Sequence, residues 1–241
     1  MAREESLRER LIDVGVEVVT TDGISALGLR EIARRAGVSH GAPRRYFATH
    51  HALLSAIARR GFADLRTRFE AAIAAGASPR DRLAALARAY VGYALEQRGM
   101  FELMFRHDLL DSERHGSEQP RLRESTLPLF EIIVGLITRC RTEQEQDARR
   151  GDAPSNAGPV PSPAVTAAAL WSNLHGIAQL WAWDSLQLAL DTRSAGGGSG
   201  RGPEGGPEGG SAVGPEVGPD RGPLDLLVRA ALDAHLGPAT A

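Results

Sequence analysis

Residues 22–54, Asp-Gly-Ile-Ser-Ala-Leu-Gly-Leu-Arg-Glu-Ile-Ala-Arg-Arg-Ala-Gly-Val-Ser-His-Gly-Ala-Pro-Arg-Arg-Tyr-Phe-Ala-Thr-His-His-Ala-Leu-Leu, decide how this chain is read. Asp22-Gly23 closes one helix, since glycine accepts the left-handed conformation that ends helices. A second helix begins near Leu29, turns Ile32 and Ala33 inward and stops at Gly37. Ser39 is placed to accept a hydrogen bond from the first N–H groups of a third helix over about residues 40–46, and Thr49 is placed to cap a fourth. Helix, glycine turn, short helix and a further capped start are the parts of a helix-turn-helix that docks on DNA.

Outward from that stretch, apolar residues recur at spacings of three and four, and no period-two strand pattern appears. Leu7, Leu11, Val14 or Gly15, and Val18 make one stripe of a first helix, with Ser6 and Glu9 at capping-box spacing unless the helix begins a turn earlier. Leu54, Ala58, Phe62, Leu65 and Phe69 form the inward stripe of the fourth. Beyond Gly76-Ala77-Ser78-Pro79, helices are expected near 79–97, 99–112, 120–150, 163–191 and 223–236, with Pro120 and Pro128 limiting the early part of the third of these. Residues 151–163 and 194–223 are rich in Gly, Pro and Ser and carry too little apolar surface to offset the entropy of ordering, so they are expected to be flexible. The expected fold class is all-α: a helix-turn-helix domain over 1–48, a connecting helix over 49–75, and a C-terminal helical domain over 76–241 for ligand binding and dimerisation.

Composition excludes several chemistries. All 28 cationic side chains are Arg, with no Lys, which removes P-loop enzymes, kinases and pyridoxal enzymes, each of which needs a Lys. Cys140 is the single cysteine, so there is no internal disulfide and no cysteine-based zinc site; a buried apolar role is expected for it. No apolar run approaches the roughly 18 residues that span a bilayer and no leader pattern opens the chain, so a cytoplasmic protein without membrane contact is expected. Overall charge is −2, yet residues 1–60 hold ten Arg against seven acidic residues, a net +3, while the remainder carries −5. The basic excess therefore lies with the helix-turn-helix.

In that element Ser39, His40, Gly41 and Ala42 are small enough at the leading end to let a helix approach base edges, and Arg44, Arg45 and Tyr46 supply charge and hydrogen bonds. An Arg either reads guanine or neutralises phosphate, and both readings stay open for each of them.

These residues resemble the DNA-binding domain of the TetR family of bacterial repressors. The likeness rests on Gly23, Leu29-Arg30-Glu31-Ile32-Ala33, Ala36-Gly37-Val38-Ser39, Ala42, Phe47 and Leu53-Leu54, and it covers about the first 70 residues. Trp171-Ser-Asn-Leu-His175-Gly176 is similar to the signature of the WHG-type C-terminal domain found in part of that family. The resemblance implies a homodimer on a palindromic operator, released by a small-molecule effector. It also implies DNA contacts from the start of the second helix, Leu29 and Arg30, and from the start of the fourth, His50. Departures are Gly28 where Ser or Thr is usual, Arg44 where Tyr is common, Tyr46 where His is common, and His50 where Lys is usual.

For the effector, Tyr93, Phe101, Met104, Phe105, Trp171, His175 and Trp181 are the candidate contacts, because soft and aromatic side chains with few polar groups make the usual small-molecule pocket. His107, Asp111 and His115 fall at i, i+4 and i+8, but Glu113 and Arg114 beside them make an exposed polar face the plainer reading; neither a metal nor a cofactor is expected. A helical interaction module that does not read DNA is the alternative. A His-dependent enzyme is the remaining one, and no nucleophile elbow or phosphate loop supports it.

Overall fold

The computed structural model describes residues 2–106, 108–110, 122–150, 160–195 and 222–238. Its regular elements are helical: α1 (Ala2–Asp22), α2 (Leu29–Arg35), α3 (His50–Ala74), α4 (Pro79–Glu96), α5 (Arg98–Phe105), α6 (Leu122–Arg150), α7 (Pro163–Ala182), α8 (Ser185–Ala195) and α9 (Gly222–Leu236). Short 3-10 turns at Ile24–Ala26 and Pro43–Arg45 complete the set.

Helix ends in the N-terminal module follow from local chemistry. Gly23 and Gly37 both adopt positive φ, 79° and 65°, which a side chain would oppose. After α2, the Val38 N–H reaches the Ala33 carbonyl and the Gly37 N–H reaches the Arg34 carbonyl, a Schellman closure. Thr49 accepts from the Ala52 N–H at 3.0 Å and caps α3 as expected. Ser78 and Asp81 form a reciprocal capping box on α4.

Several expectations are corrected. Residues 40–46 do not form an α-helix; only Pro43–Arg45 make a 3-10 turn, without a side-chain cap from Ser39. Pro43 has no N–H for the Ser39 carbonyl, which instead takes the Ala42 N–H, and the following bonds also span three residues: Arg45 to Ala42 and Tyr46 to Pro43. α1 takes the earlier of its two expected starts, beginning before Ser6, and Glu9 pairs with Arg8 and Arg60. α5 ends at Phe105 instead of near 112. α6 runs through Pro128, because the buried row Leu129, Ile133, Leu136 and Ile137 offsets the one hydrogen bond that proline removes. The expected helix 163–191 breaks at Trp183 and Asp184, where Asp184 takes φ 57°. Of the two stretches expected to be flexible, residues 151–159 and 196–221 lie outside the described residues.

One core runs through both halves. Leu54, Ala58, Phe62, Leu65 and Phe69 of α3 are buried as the stripe predicts, facing α4, α5 and α6. α9 folds back on α4 and α7 of its own chain through Leu224, Val228, Leu232 and Leu236, and Arg80 reaches across to Asp233. Cys140 is buried on α6, and burial pushes its thiol pKa up. α5 joins the halves: Gly99 lies so close to the Val19 carbonyl at the end of α1 that a Cβ there would collide with it.

Candidate functional site

The turn between α2 and α3 is held from beneath. Phe47 is 1% exposed in the core, Pro43 is buried, and the Arg8 guanidinium lies 5.5 Å from the Phe47 ring centre. His50 closes the turn against the preceding loop by donating Nε2–H to the Leu27 carbonyl at 2.7 Å. Next to it, His51 bonds through Nδ1 to the Leu109 carbonyl at 2.6 Å, a link to the segment that follows α5. With the turn so fixed, Gly28, Leu29, Arg30, His40, Gly41, Arg44 and His50 surround one concave surface.

The arginines of this module divide into two groups. Glu31 accepts from Arg34 at 2.9 and 2.6 Å and from Arg35 at 2.7 Å, and Arg35 also bridges to Asp22. These bonds, Arg34's foremost, lower the Glu31 pKa to about 2, so the carboxylate holds both guanidinium groups throughout the ordinary pH range. Arg30, Arg44, Arg45 and His40 have no hydrogen bond or ion pair with any described residue, and all four are exposed.

In the C-terminal half the polar groups are bonded to one another. Tyr90 accepts from the Trp171 Nε1–H at 2.9 Å and shares a second hydrogen bond of 2.9 Å with His175 Nδ1. Burial raises the phenol pKa and lowers that of the imidazole, which favours the neutral form of both groups. Phe101 stacks on the His175 ring at 5.3 Å and Phe105 meets it edge-on at 4.8 Å. On one side of this group is an apolar hollow of about 320 Å³ bounded by Phe62, Leu65 and Phe69 of α3, Tyr90, Phe105, Phe130 and Trp171 among others. On the other is a more polar recess of about 360 Å³ lined by Arg98, Phe101, Glu102, His175 and Gln179 among others.

Residues 11–57 match the family described as bacterial regulatory proteins, tetR family, and residues 83–195 match the tetracyclin repressor-like C-terminal domain. The chain belongs to the TetR family of transcriptional regulators. Members of the family are regulators and not enzymes. The HTH-type transcriptional regulator BetI of Rhizobium meliloti (strain 1021) is 40% identical over 81 residues, which are 34% of this chain and 40% of that protein. A solved protein of unknown function from Rhodococcus sp. RHA1 is 28% identical with a TM-score of 0.61, over 97% of this chain and 96% of its own. FadR from Bacillus subtilis, solved in complex with stearoyl-CoA, shares the fold at 14% identity and a TM-score of 0.51, over 96% and 99% of the two chains.

Within this TetR chain, six of the nine residues expected at DNA, Leu29, Arg30, His40, Gly41, Arg44 and His50, share the concave surface. Ser39 and Arg45 stand exposed on the same turn, while Tyr46 is half-buried against the core. Of the residues expected at an effector, Phe105 and Trp171 line the apolar hollow, and Phe101 and His175 line the polar recess. Tyr93 and Met104 line neither: Tyr93 is 1% exposed and donates to the Gly61 carbonyl at 3.2 Å, and Met104 is wholly buried. Trp181 packs against the core rather than into either hollow. Sequence reasoning left Tyr90, Phe62, Phe69 and Phe130 out of the effector set. Phe62 and Phe69 carried a signal, since an inward stripe on the helix leading from the DNA module is where a ligand would be felt. His107, Asp111 and His115 lie outside the described residues, and among the described residues no group of three or more His, Cys, Asp or Glu is placed to hold a metal.

Proposed function

We propose that this chain is a dimeric, effector-responsive repressor that docks residues 1–48 on a palindromic operator. The observation that carries the reading is the group Arg30, Arg44, Arg45 and His40, exposed and without a partner among the described residues, at a turn that Phe47, Thr49 and His50 hold in place. Free guanidinium groups on a convergent surface suit phosphate and guanine, both of which Arg can bind bidentately. Leu29, Ser39, Gly41, Tyr46 and His50 complete the contact set, with Gly41 permitting close approach.

Support for a second copy comes from α7, α8 and α9, where Val165, Leu180, Trp183, Leu188 and Leu226 are large apolar side chains left 40–67% exposed. Two-fold pairing would place two reading turns on successive half-sites. No helix among the described residues is long and apolar enough to cross a membrane, in keeping with a regulator at work on DNA in the cytoplasm.

Residues 76–241 form the sensing half, joined to the first by the connecting helix over 49–75. The effector is a small, largely apolar molecule in the hollow against Phe62, Leu65 and Phe69, three positions on the helix that starts beside the reading turn. It works only to the extent that it binds the DNA-released arrangement more tightly than the DNA-bound one. Movement of α3 then changes the separation of the two reading heads.

A mobility-shift titration on the intergenic DNA upstream of its own gene, at physiological salt, tests the reading. Arg44→Ala with Arg45→Ala is expected to weaken binding on the order of a hundredfold, at about 1–3 kcal/mol per lost Arg contact. Arg34→Ala with Arg35→Ala, which removes side chains already held by Glu31, changes it less than about threefold, as rim charges do. Equal effects of the two pairs, or none from the first, would overturn the assignment.

A further inference from the structure

Six aromatic side chains wall the apolar hollow: Phe62, Phe69, Tyr90, Phe105, Phe130 and Trp171. Their rings neighbour one another, Phe62 edge-on to Phe105 at 6.0 Å, and at tilted angles Phe105 to Trp171 at 6.0 Å, Trp171 to Phe130 at 6.3 Å, and Phe69 to Tyr90 at 6.5 Å. Among the described residues no Asp, Glu, Arg or His lines the space, and Thr126 adds a hydroxyl to it. The Tyr90 hydroxyl is hydrogen-bonded to His175 Nδ1 and accepts the Trp171 N–H, so that hydroxyl is engaged twice and the indole has no donor left for a guest. An ionised guest would lose its hydration there and meet no counter-charge.

Size narrows the guest further. The space measures about 320 Å³. That is roughly twice the ~150 Å³ apolar cavity that stays dry and accepts benzene in an engineered protein core. Two fused rings fit where one would rattle.

We infer that the effector is an uncharged aromatic molecule of about two rings, seated edge and face against this wall and resting on Phe62, Leu65 and Phe69 of α3. The inference depends on the effector-responsive reading above for its regulatory meaning, but the binding itself can be measured apart from DNA. Entry is from the rim between α6 and α7, where Leu127 is 43% exposed and Ala168 is also exposed.

The experiment uses three flat probes of matched shape and different charge: naphthalene, 2-naphthoate and N-methylquinolinium. Titration calorimetry on the full chain is expected to show naphthalene binding at least tenfold more tightly than either ion, and naphthalene alone is expected to raise the unfolding temperature. The cation is the sharpest rival, since aromatic walls also attract organic cations. Comparable or tighter binding of 2-naphthoate or N-methylquinolinium overturns the inference, as does the absence of naphthalene binding. Ala168→Trp, which fills the rim, is expected to weaken naphthalene at least tenfold while circular dichroism remains helical; Leu127→Trp on the opposite rim is the second variant should the first not fold. Wild-type affinity for naphthalene in a folded rim variant places the guest elsewhere and overturns the assignment. Operator binding, followed in parallel, reports on the regulator reading by itself: a chain that binds naphthalene and no operator fails that reading and keeps this one.

Discussion

At the reading turn Arg30, Arg44, Arg45 and His40 stand exposed and without partners among the described residues, whereas around Tyr90 the phenol, indole and imidazole are bonded to one another. Both regions are fixed by the same kinds of contact, buried aromatics and short hydrogen bonds. They differ in what remains for a visitor. Unspent donors around a concave, basic surface select an anionic, acceptor-rich partner, and spent donors around a hollow leave mainly apolar contact to offer. The polar groups that the fold has already used are therefore as informative about binding as those it leaves free.

Three substitutions break or sharpen that contrast. The largest effect is expected at the joint between the regions, where Gly99 of α5 meets the Val19 carbonyl of α1. Gly99→Leu forces these helices apart and should cost about 3 kcal/mol in urea unfolding; wild-type stability would mean that the halves are not joined at this point. Tyr90→Phe comes next, stranding the Trp171 N–H and His175 Nδ1 together, with an expected loss of about 2 kcal/mol. A loss below about 0.5 kcal/mol would mean that water takes over both bonds, and the apolar character assigned to the hollow would fall with it.

The smallest effect belongs to Glu31. Its pKa is lowered from 4.5 to about 2, so its contribution to stability is complete above 4.5 and is lost as pH falls toward 2. Glu31→Gln should flatten that acid arm of the unfolding curve. Because the groups are exposed, salt screens the change in stability. The clearer readout is DNA, where freeing Arg34 and Arg35 should steepen the salt dependence of binding by about one unit for each phosphate newly met. An unchanged slope would show that the two arginines do not reach DNA even when released.

How far these properties were legible in sequence depended on the range of the bonds involved. The stop at Gly37 and the cap at Thr49 close within five residues, so spacing was enough to read them. Capture of Arg34 and Arg35 by Glu31 was equally visible in principle, since it uses the i,i+3 and i,i+4 spacings of one helix. The third helix was misread because Pro43 deprives the Ser39 carbonyl of the N–H that an α-helix would return to it. No glycine marks the break at Asp184, which takes φ 57° as an ordinary residue, so the long helix there read as continuous. Tyr93 and Met104 had the right composition for a ligand wall and were nevertheless consumed by packing against Gly61.

The sequence by itself determined an all-α chain, the place where its helices halt for the reading turn, and the concentration of Arg beside that turn, because caps, glycine stops and charge lie within a few residues of one another. Tertiary structure alone decided which aromatics became core and which became wall. It also set Tyr90 against residues 81 and 85 positions away, Trp171 and His175. Bonds over such separations follow from how the helices pack, and it is packing that leaves one hydroxyl spent and one guanidinium free.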